Sequence, residues 1–252
     1  MIGLIVTNDD QELADQLARE LAEFYWEQRF LLEPELFGVD DAIQFGLAND
    51  GPIVIVETAD CCGGGAAGDS VQLLPALMAL GPDVSSVLPV VDRAAATKCH
   101  QAGEGSILTL EIGHQHDPKW GDPIRVEAEV LRLTDGRFTY SGGIWDRCEG
   151  NMGPAAVVRV EGVLVCLASF PTYEWCGEQY PALGIDVTQA KFIVAKNPMN
   201  YRMAFEHCSQ VFMVLDTRGP TPATCRHLPY SQAVRPAFPW DPELDSPVRV
   251  IH

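Results

Sequence analysis

Basic residues are scarce in this chain: 17 Lys and Arg face 35 Asp and Glu, a formal charge of −18 and a pI near 4.5. Nucleic acid and anionic membrane surfaces both call for clustered cations, so neither is expected as a partner. Long hydrophobic runs are missing as well. The longest, such as Pro52–Val56 and Val71–Leu80, fall well short of the ~18 residues that cross a bilayer. The amino-terminal stretch Met1–Asp10 has no basic flank and turns acidic at once, so it reads as a strand and not as a signal peptide. Cys-x-x-Cys spacing is absent too. The eight cysteines (Cys61, Cys62, Cys99, Cys148, Cys166, Cys176, Cys208, Cys225) sit mostly in apolar or helical contexts, which suits reduced thiols in a cytoplasm and argues against a disulfide framework. The 22 Gly and 18 Pro show no period, which excludes collagen-like and low-complexity chains.

What is present is enough apolar material for a large core. A chain of 252 residues, 47% of them hydrophobic, reads as one domain over 1–252; at this length roughly 70–75% of the unfolded surface is buried. Acids are concentrated early. Residues 1–60 hold 14 of them against only Arg19 and Arg29, the pattern of a solvated acidic face.

Periodicity predicts a mixed α/β fold. Ile2–Thr7 reads as a short strand, and Asn8 with Gln11 as a capping box opening an amphipathic helix from about Asp10 to Arg29. A helix over Asp40–Ala48 precedes Pro52–Thr58, a continuous β-branched run of the kind found in central strands covered on both faces. A Gly-rich loop (Asp60–Asp69), a helix over about Ser70–Leu80, a strand at Val84–Val90 and a helix over Asp92–Ala102 extend a mostly parallel α/β part. Strands at Ile107–Ile112, Ile124–Leu133, Arg137–Ser141, Ala155–Val160 and Val163–Ser169 then suggest an antiparallel middle section, with a hairpin turn at Glu161-Gly162. A strand over Lys191–Lys196, a helix over about Met199–Cys208 and a strand at Val211–Asp216 make a final βαβ unit. Residues 217–252 carry seven prolines and are expected to lie extended over the surface.

Gly63-Gly64-Gly65-Ala66-Ala67-Gly68-Asp69-Ser70 satisfies both the dinucleotide G-x-G-x-x-G pattern and the P-loop pattern, with Asp69 in place of the P-loop lysine. Neither match survives a physical reading, because a carboxylate there occupies or repels the place of the phosphate. Two readings of the junction remain. In one, Asp69 caps the following helix, with Gln72 completing a capping box. In the other, a nest of loop amides edged by Asp60 and Asp69 binds a ligand at the carboxyl end of a central strand. His114 and His116, in Gly113-His-Gln-His-Asp-Pro118, form a His-x-His pair able to hold zinc from one face. No third ligand lies nearby, and the stretch reads as a solvated loop. Lys196, Tyr201 and Arg202 read either as an anion or carboxylate clamp or as a Pro198-started helix with a surface Arg. No Ser-His-Asp or Cys-His arrangement has a recognisable elbow.

Glu57-Thr-Ala-Asp60-Cys-Cys-Gly63-Gly-Gly-Ala-Ala-Gly68-Asp69-Ser70 resembles the Asp-Asn-x-Gly-Gly-Gly-x-x-Gly-Asp signature in the C-terminal domain of the microcystinase C (MlrC) family. Further matches follow in the same order: Ala102-Gly-Glu-Gly105, Asp117-Pro118 with Gly121 and Pro123, Gly153-Pro154 before Val157-Val158-Arg159, and Leu183-Gly-Ile-Asp186 before Lys191. Lys196 with Tyr201-Arg202-x-Ala204-Phe205, and Arg235-Pro236 with Pro239, complete the series. The resemblance runs from about Val6 to Asp241. Cys61-Cys62 departs from the signature, standing where Asn and a variable residue usually precede the glycines.

The resemblance implies a family of metal-dependent peptidases acting on linear peptides, in which a metal-binding half precedes the part seen here. It therefore implies zinc in an N-terminal half that this chain lacks, with no cofactor in the chain itself. The expected role is a substrate-shaping accessory domain, with Asp60, Gly63, Gly64, Gly65, Gly68, Asp69, Lys196, Tyr201 and Arg202 as the ligand-binding set. Its partner would be a separately encoded or excised metallopeptidase half, or a second copy through self-association. Two rivals stand beside it: a free-standing module binding a small anionic ligand through the Gly-rich loop, and a self-sufficient metalloenzyme built on His114 and His116.

Overall fold

Ile53–Val56 reads IVIV, four β-branched residues without a polar break, and becomes β1, buried along its whole length. The computed structural model describes residues 3–174 and 176–245. The remaining strands are β2 (Ser86–Val91), β3 (Ile107–Ile112), β4 (Ile124–Thr134), β5 (Arg137–Thr139), β6 (Glu149–Asn151), β7 (Ala155–Val160), β8 (Val163–Ala168), β9 (Phe192–Ala195) and β10 (Phe212–Val214). The helices are α1 (Gln11–Glu27), α2 (Val39–Ala48), α3 (Leu74–Met78), α4 (Arg93–Ala102), α5 (Gln179–Ala182) and α6 (Tyr201–Phe205).

Eight strands form one mixed sheet in the order β10-β1-β9-β2-β8-β7-β4-β3. The pairings from β10 to β8 are parallel, and those among β8, β7, β4 and β3 are antiparallel. The mixed α/β class and the parallel-then-antiparallel order thus match the expectation. The period-2 alternation of the parallel strands divides the core. Ile53, Ile55, Phe192 and Val194 face a layer containing Ala42, Leu74, Leu77 and Ala96 of α2, α3 and α4. Val54, Val56, Ile193 and Ala195 face Tyr180, Ala204, Phe205 and the β5–β6 ribbon residue Phe138.

Several elements differ from the sequence-based expectation, each for a local reason. No strand forms over Gly3–Thr7, while Met1 and Ile2 lie outside the described residues. Asp10, not Asn8, caps α1, its carboxylate accepting the Leu13 N–H at 2.9 Å. The helix expected from Ser70 begins only at Leu74, with Pro75 in its first turn, because the amides of Gly68 and Ser70 are taken by Asp60. The helix expected over Met199–Cys208 shrinks to Tyr201–Phe205, since Asn197 Oδ1 accepts the N–H groups of Met199 and Asn200 and turns the chain first. At the β7–β8 hairpin Glu161, not the glycine, adopts positive φ (51°). Gly162 is needed there for closeness, since a Cβ would collide with the carbonyls of Val84 and Gly81.

By internal packing the chain forms two units, Leu36–Ala223 and a smaller one made of residues 3–35 with 224–245. In the smaller unit the Arg29 guanidinium lies 4.3 Å from the Trp26 ring centroid and 4.4 Å from that of Phe30, while Phe238 sits edge-on to Phe30 at 5.4 Å. Arg226 pairs with Glu33 at 2.6 Å. Part of the Pro-rich tail is therefore organised around Trp26 at the end of α1 and Phe30 just after it.

Candidate functional site: a cleft at the strand ends

Open α/β sheets offer ligand sites beyond the carboxyl ends of their parallel strands. Here the segments leaving β1, β2, β8 and β9 enclose a cleft of about 630 Å³, counting the open solvent at its mouth. Its walls are mostly apolar, formed by Val91, Met152, Ala168 and Leu183 with the rings of Tyr173 and Tyr180. Glu174, Gln179, Lys196, Asn197 and the thiols of Cys61, Cys62 and Cys166 supply the polar lining.

The Gly-rich loop closes on the chain's own carboxylate. Asp60 is buried, and it accepts the Gly68 N–H at 2.8 Å, the Ser70 N–H at 2.7 Å and the Lys196 ammonium at 2.9 Å. The amides of Gly64, Gly65 and Ala66 donate to the carbonyls of Cys61, Cys62 and Cys61. These five donors are thus occupied internally, and Asp60 holds the seat that an external anion would need. Gly65 (φ 94°) and Gly68 (φ 78°) take left-handed conformations that only glycine adopts cheaply. Gly63 lies against the Tyr173 ring and Gly64 against Thr221.

Lys196 is equally committed. Its ammonium also donates to the carbonyls of Gly68 at 3.2 Å and Ser70 at 2.8 Å, so none of its three protons is directed at an incoming carboxylate. Glu57, fully buried, lies 4.0 Å from the same ammonium and accepts the Ser70 hydroxyl at 2.8 Å. Burial outweighs these partners and raises the Glu57 carboxyl to about 7. Glu174 is raised to about 7 for the same first reason, although the Lys196 N–H donates to it at 3.0 Å. Desolvation raises both loop thiols, Cys62 to about 12.

The other expected residues lie apart. Tyr201 and Arg202 stand on α6, where the Arg202 guanidinium lies 5.0 Å from the Phe212 ring centroid and 5.5 Å from that of Tyr201, and neither lines the cleft. Asp69 does not cap a helix with Gln72. It accepts the N–H groups of His116 at 2.7 Å and Asp117 at 3.1 Å, binding the 113–118 turn to the Gly-rich loop. That turn is not simply a solvated loop, because His114 is buried at φ 48° with a long 3.4 Å bond from the Val71 N–H to Nε2. His116, by contrast, is exposed. Among the described residues no group of three or more His, Cys, Asp or Glu is arranged to hold a metal ion, so they do not fit the zinc that the resemblance places in a preceding half.

Sequence reasoning passed over Glu174, Gln179 and Asn197, and it gave Glu57 no separate role. Glu57 carried a signal, a charge directly at the end of a fully apolar strand. The segment holding Glu174 carried none.

A mixed α/β sheet with an enclosed polar group set at its strand ends defines the class of domain. Within that class the chain belongs to the MlrC C-terminus family, whose model matches residues 55–232. It is 22% identical over 245 residues to Microcystinase C of Sphingomonas sp., covering 95% of this chain and 46% of that protein. The chain therefore spans about half the length of that relative. The crystal structure of a proposed metallopeptidase from Mesorhizobium sp. BNC1 superposes with a TM-score of 0.78 at 24% identity, over 90% of this chain and 46% of that one. That likeness shows the fold.

Proposed function

We propose that this chain acts as the substrate-shaping C-terminal domain of a microcystinase C-like, metal-dependent amide hydrolase. In this reading zinc belongs to an N-terminal metallopeptidase half, carried on the same polypeptide or on a separate one, and the cleft orients a peptide toward it. The observation that carries the proposal is a mostly apolar cleft at the strand ends in a domain whose described residues hold no metal-ligand group. Family membership and the relative's name supply the reaction class. A cytoplasmic setting is part of the reading, in keeping with eight unpaired cysteines. The rival module for a small anionic ligand finds no support in the loop, whose amides and lysine are bound to Asp60 and to main-chain carbonyls.

Titration calorimetry of the 252-residue chain with short linear peptides tests this. Binding should be measurable and should weaken at least tenfold in Ala168→Phe, which fills the cleft. Absence of peptide binding, or binding indifferent to that substitution, would overturn the proposal.

A further inference from the structure

Resting on that reading, we propose that the cleft is a subsite for a primary ammonium group borne on an apolar body, with Glu174 and Gln179 as its acceptors. The choice follows from which polar groups in the cleft remain uncommitted. Its ammonium, Lys196, is saturated by Asp60 and two carbonyls. Asn197 is largely committed: its amide nitrogen donates to the Glu174 carbonyl, and its oxygen accepts from Met199 and Asn200. The Tyr180 hydroxyl donates to the Val194 carbonyl at 2.8 Å. The Lys196 and Tyr180 donors are thus spent within the chain.

Among the described residues two side-chain acceptors of the cleft stand out. Glu174 lines the cleft, and among the described residues its carboxylate has one hydrogen-bond donor, the Lys196 N–H. Gln179 also lines it, 8% exposed, and its amide nitrogen donates to the Tyr173 carbonyl at 2.8 Å. That bond fixes the amide orientation and, among the described residues, leaves Oε1 buried without a partner. A buried acceptor without a donor costs roughly 1–3 kcal/mol, and a ligand N–H removes that cost.

Charge agrees with this. Above pH 7, where Glu57 and Glu174 ionise, they and Asp60 surround a single lysine, so the polar end of the cleft favours a cation over an anion. Val91, Met152, Ala168 and Leu183 give apolar surface to the carbon skeleton that bears the cation. Arg93, the cation beside the cleft residue Phe170, is exposed and lies over that ring at 5.9 Å. A carboxylate entering the polar end would meet the Glu174 carboxylate, with the Lys196 ammonium already spent on Asp60 and two carbonyls.

A primary ammonium can come from a peptide's amino terminus or from a lysine side chain, and three C-terminally amidated tetrapeptides separate them. The first, Leu-Ala-Ala-Ala, has a free amino terminus; the second is its N-acetylated form; the third is N-acetylated with an internal lysine. They are titrated into the intact chain at pH 8. The free-amine peptide should bind at least fivefold tighter than the acetylated one, and Glu174→Gln should erase the difference, with Gln179→Leu reducing it. Tight binding of the third peptide instead assigns the lysine side chain as the source. Equal binding of all three, or a preference that survives both substitutions, overturns the inference while leaving the proposed function standing. No binding of any of them overturns both.

Discussion

At the scale of single residues, the cluster around Lys196 dominates the energetics of the site. Breaking a buried ion pair by removing one partner leaves an uncompensated charge, typically at 3–5 kcal/mol. Lys196→Met strips the cation from Asp60 and Glu57, and we expect a loss of about that size in urea unfolding. A loss below about 1 kcal/mol would mean that water reaches the carboxylates. Glu57 makes a separate prediction with a definite sign. Its carboxyl titrates near 4.5 when unfolded and near 7 when folded, so between these values the folded state holds a proton that the unfolded chain has released. This contribution is most favourable below pH 4.5 and declines as pH rises through 7. Between pH 5 and pH 8 the decline is on the order of 2–3 kcal/mol. Glu57→Gln should flatten it, measured as urea midpoints at pH 5 and pH 8; an unchanged difference would show that Glu57 is ionised throughout.

At the scale of elements, the Gly-rich loop and the 113–118 turn behave as one unit held by Asp60 and Asp69. Two glycines separate conformational strain from crowding. Gly65 has positive φ with open space around an added Cβ, so Gly65→Ala should cost about 1 kcal/mol by strain alone. Gly68 has positive φ and would also drive a Cβ into Cys62 Sγ and to 2.8 Å from Val91 Cγ2. Gly68→Ala should therefore cost more, above about 2 kcal/mol, and should disturb the cleft that both neighbours line. Equal urea midpoints for the two variants would show that the loop yields at Gly68.

At the scale of the whole molecule, the family relationship and the −18 charge set what the chain can associate with. Among the described residues no helix is long and apolar enough to cross a membrane. Because the described residues bring together no metal-ligand group, the dialysed protein should retain well under one zinc per chain by elemental analysis. One zinc per chain would show that a donor set forms from side chains that stand apart here. If a metal-carrying half binds through an apolar surface, its affinity should change little between low and physiological salt. Self-association, opposed by like charge, should strengthen with added salt.

The strand order of classes, parallel then antiparallel, was legible because hydrophobic period and turn residues are local properties. Ile53–Val56 could only be a doubly covered strand, and Ala155–Val160 with Val163–Ala168 could only be a hairpin. The glycine signature was legible too, and with it the family. What the loop does was not, because its meaning depends on groups far away in sequence. Asp60 meets Lys196 across 136 positions, and Asp69 meets His116 across 47. Local sequence offered a helix cap and an anion nest. The tertiary structure instead filled both roles with the chain's own groups, since a buried carboxylate is costly unless donors are brought to it. Glu174 shows the same limit, for only the return of the chain after β8 brings it beside β9, where its carboxylate accepts the Lys196 N–H at 3.0 Å.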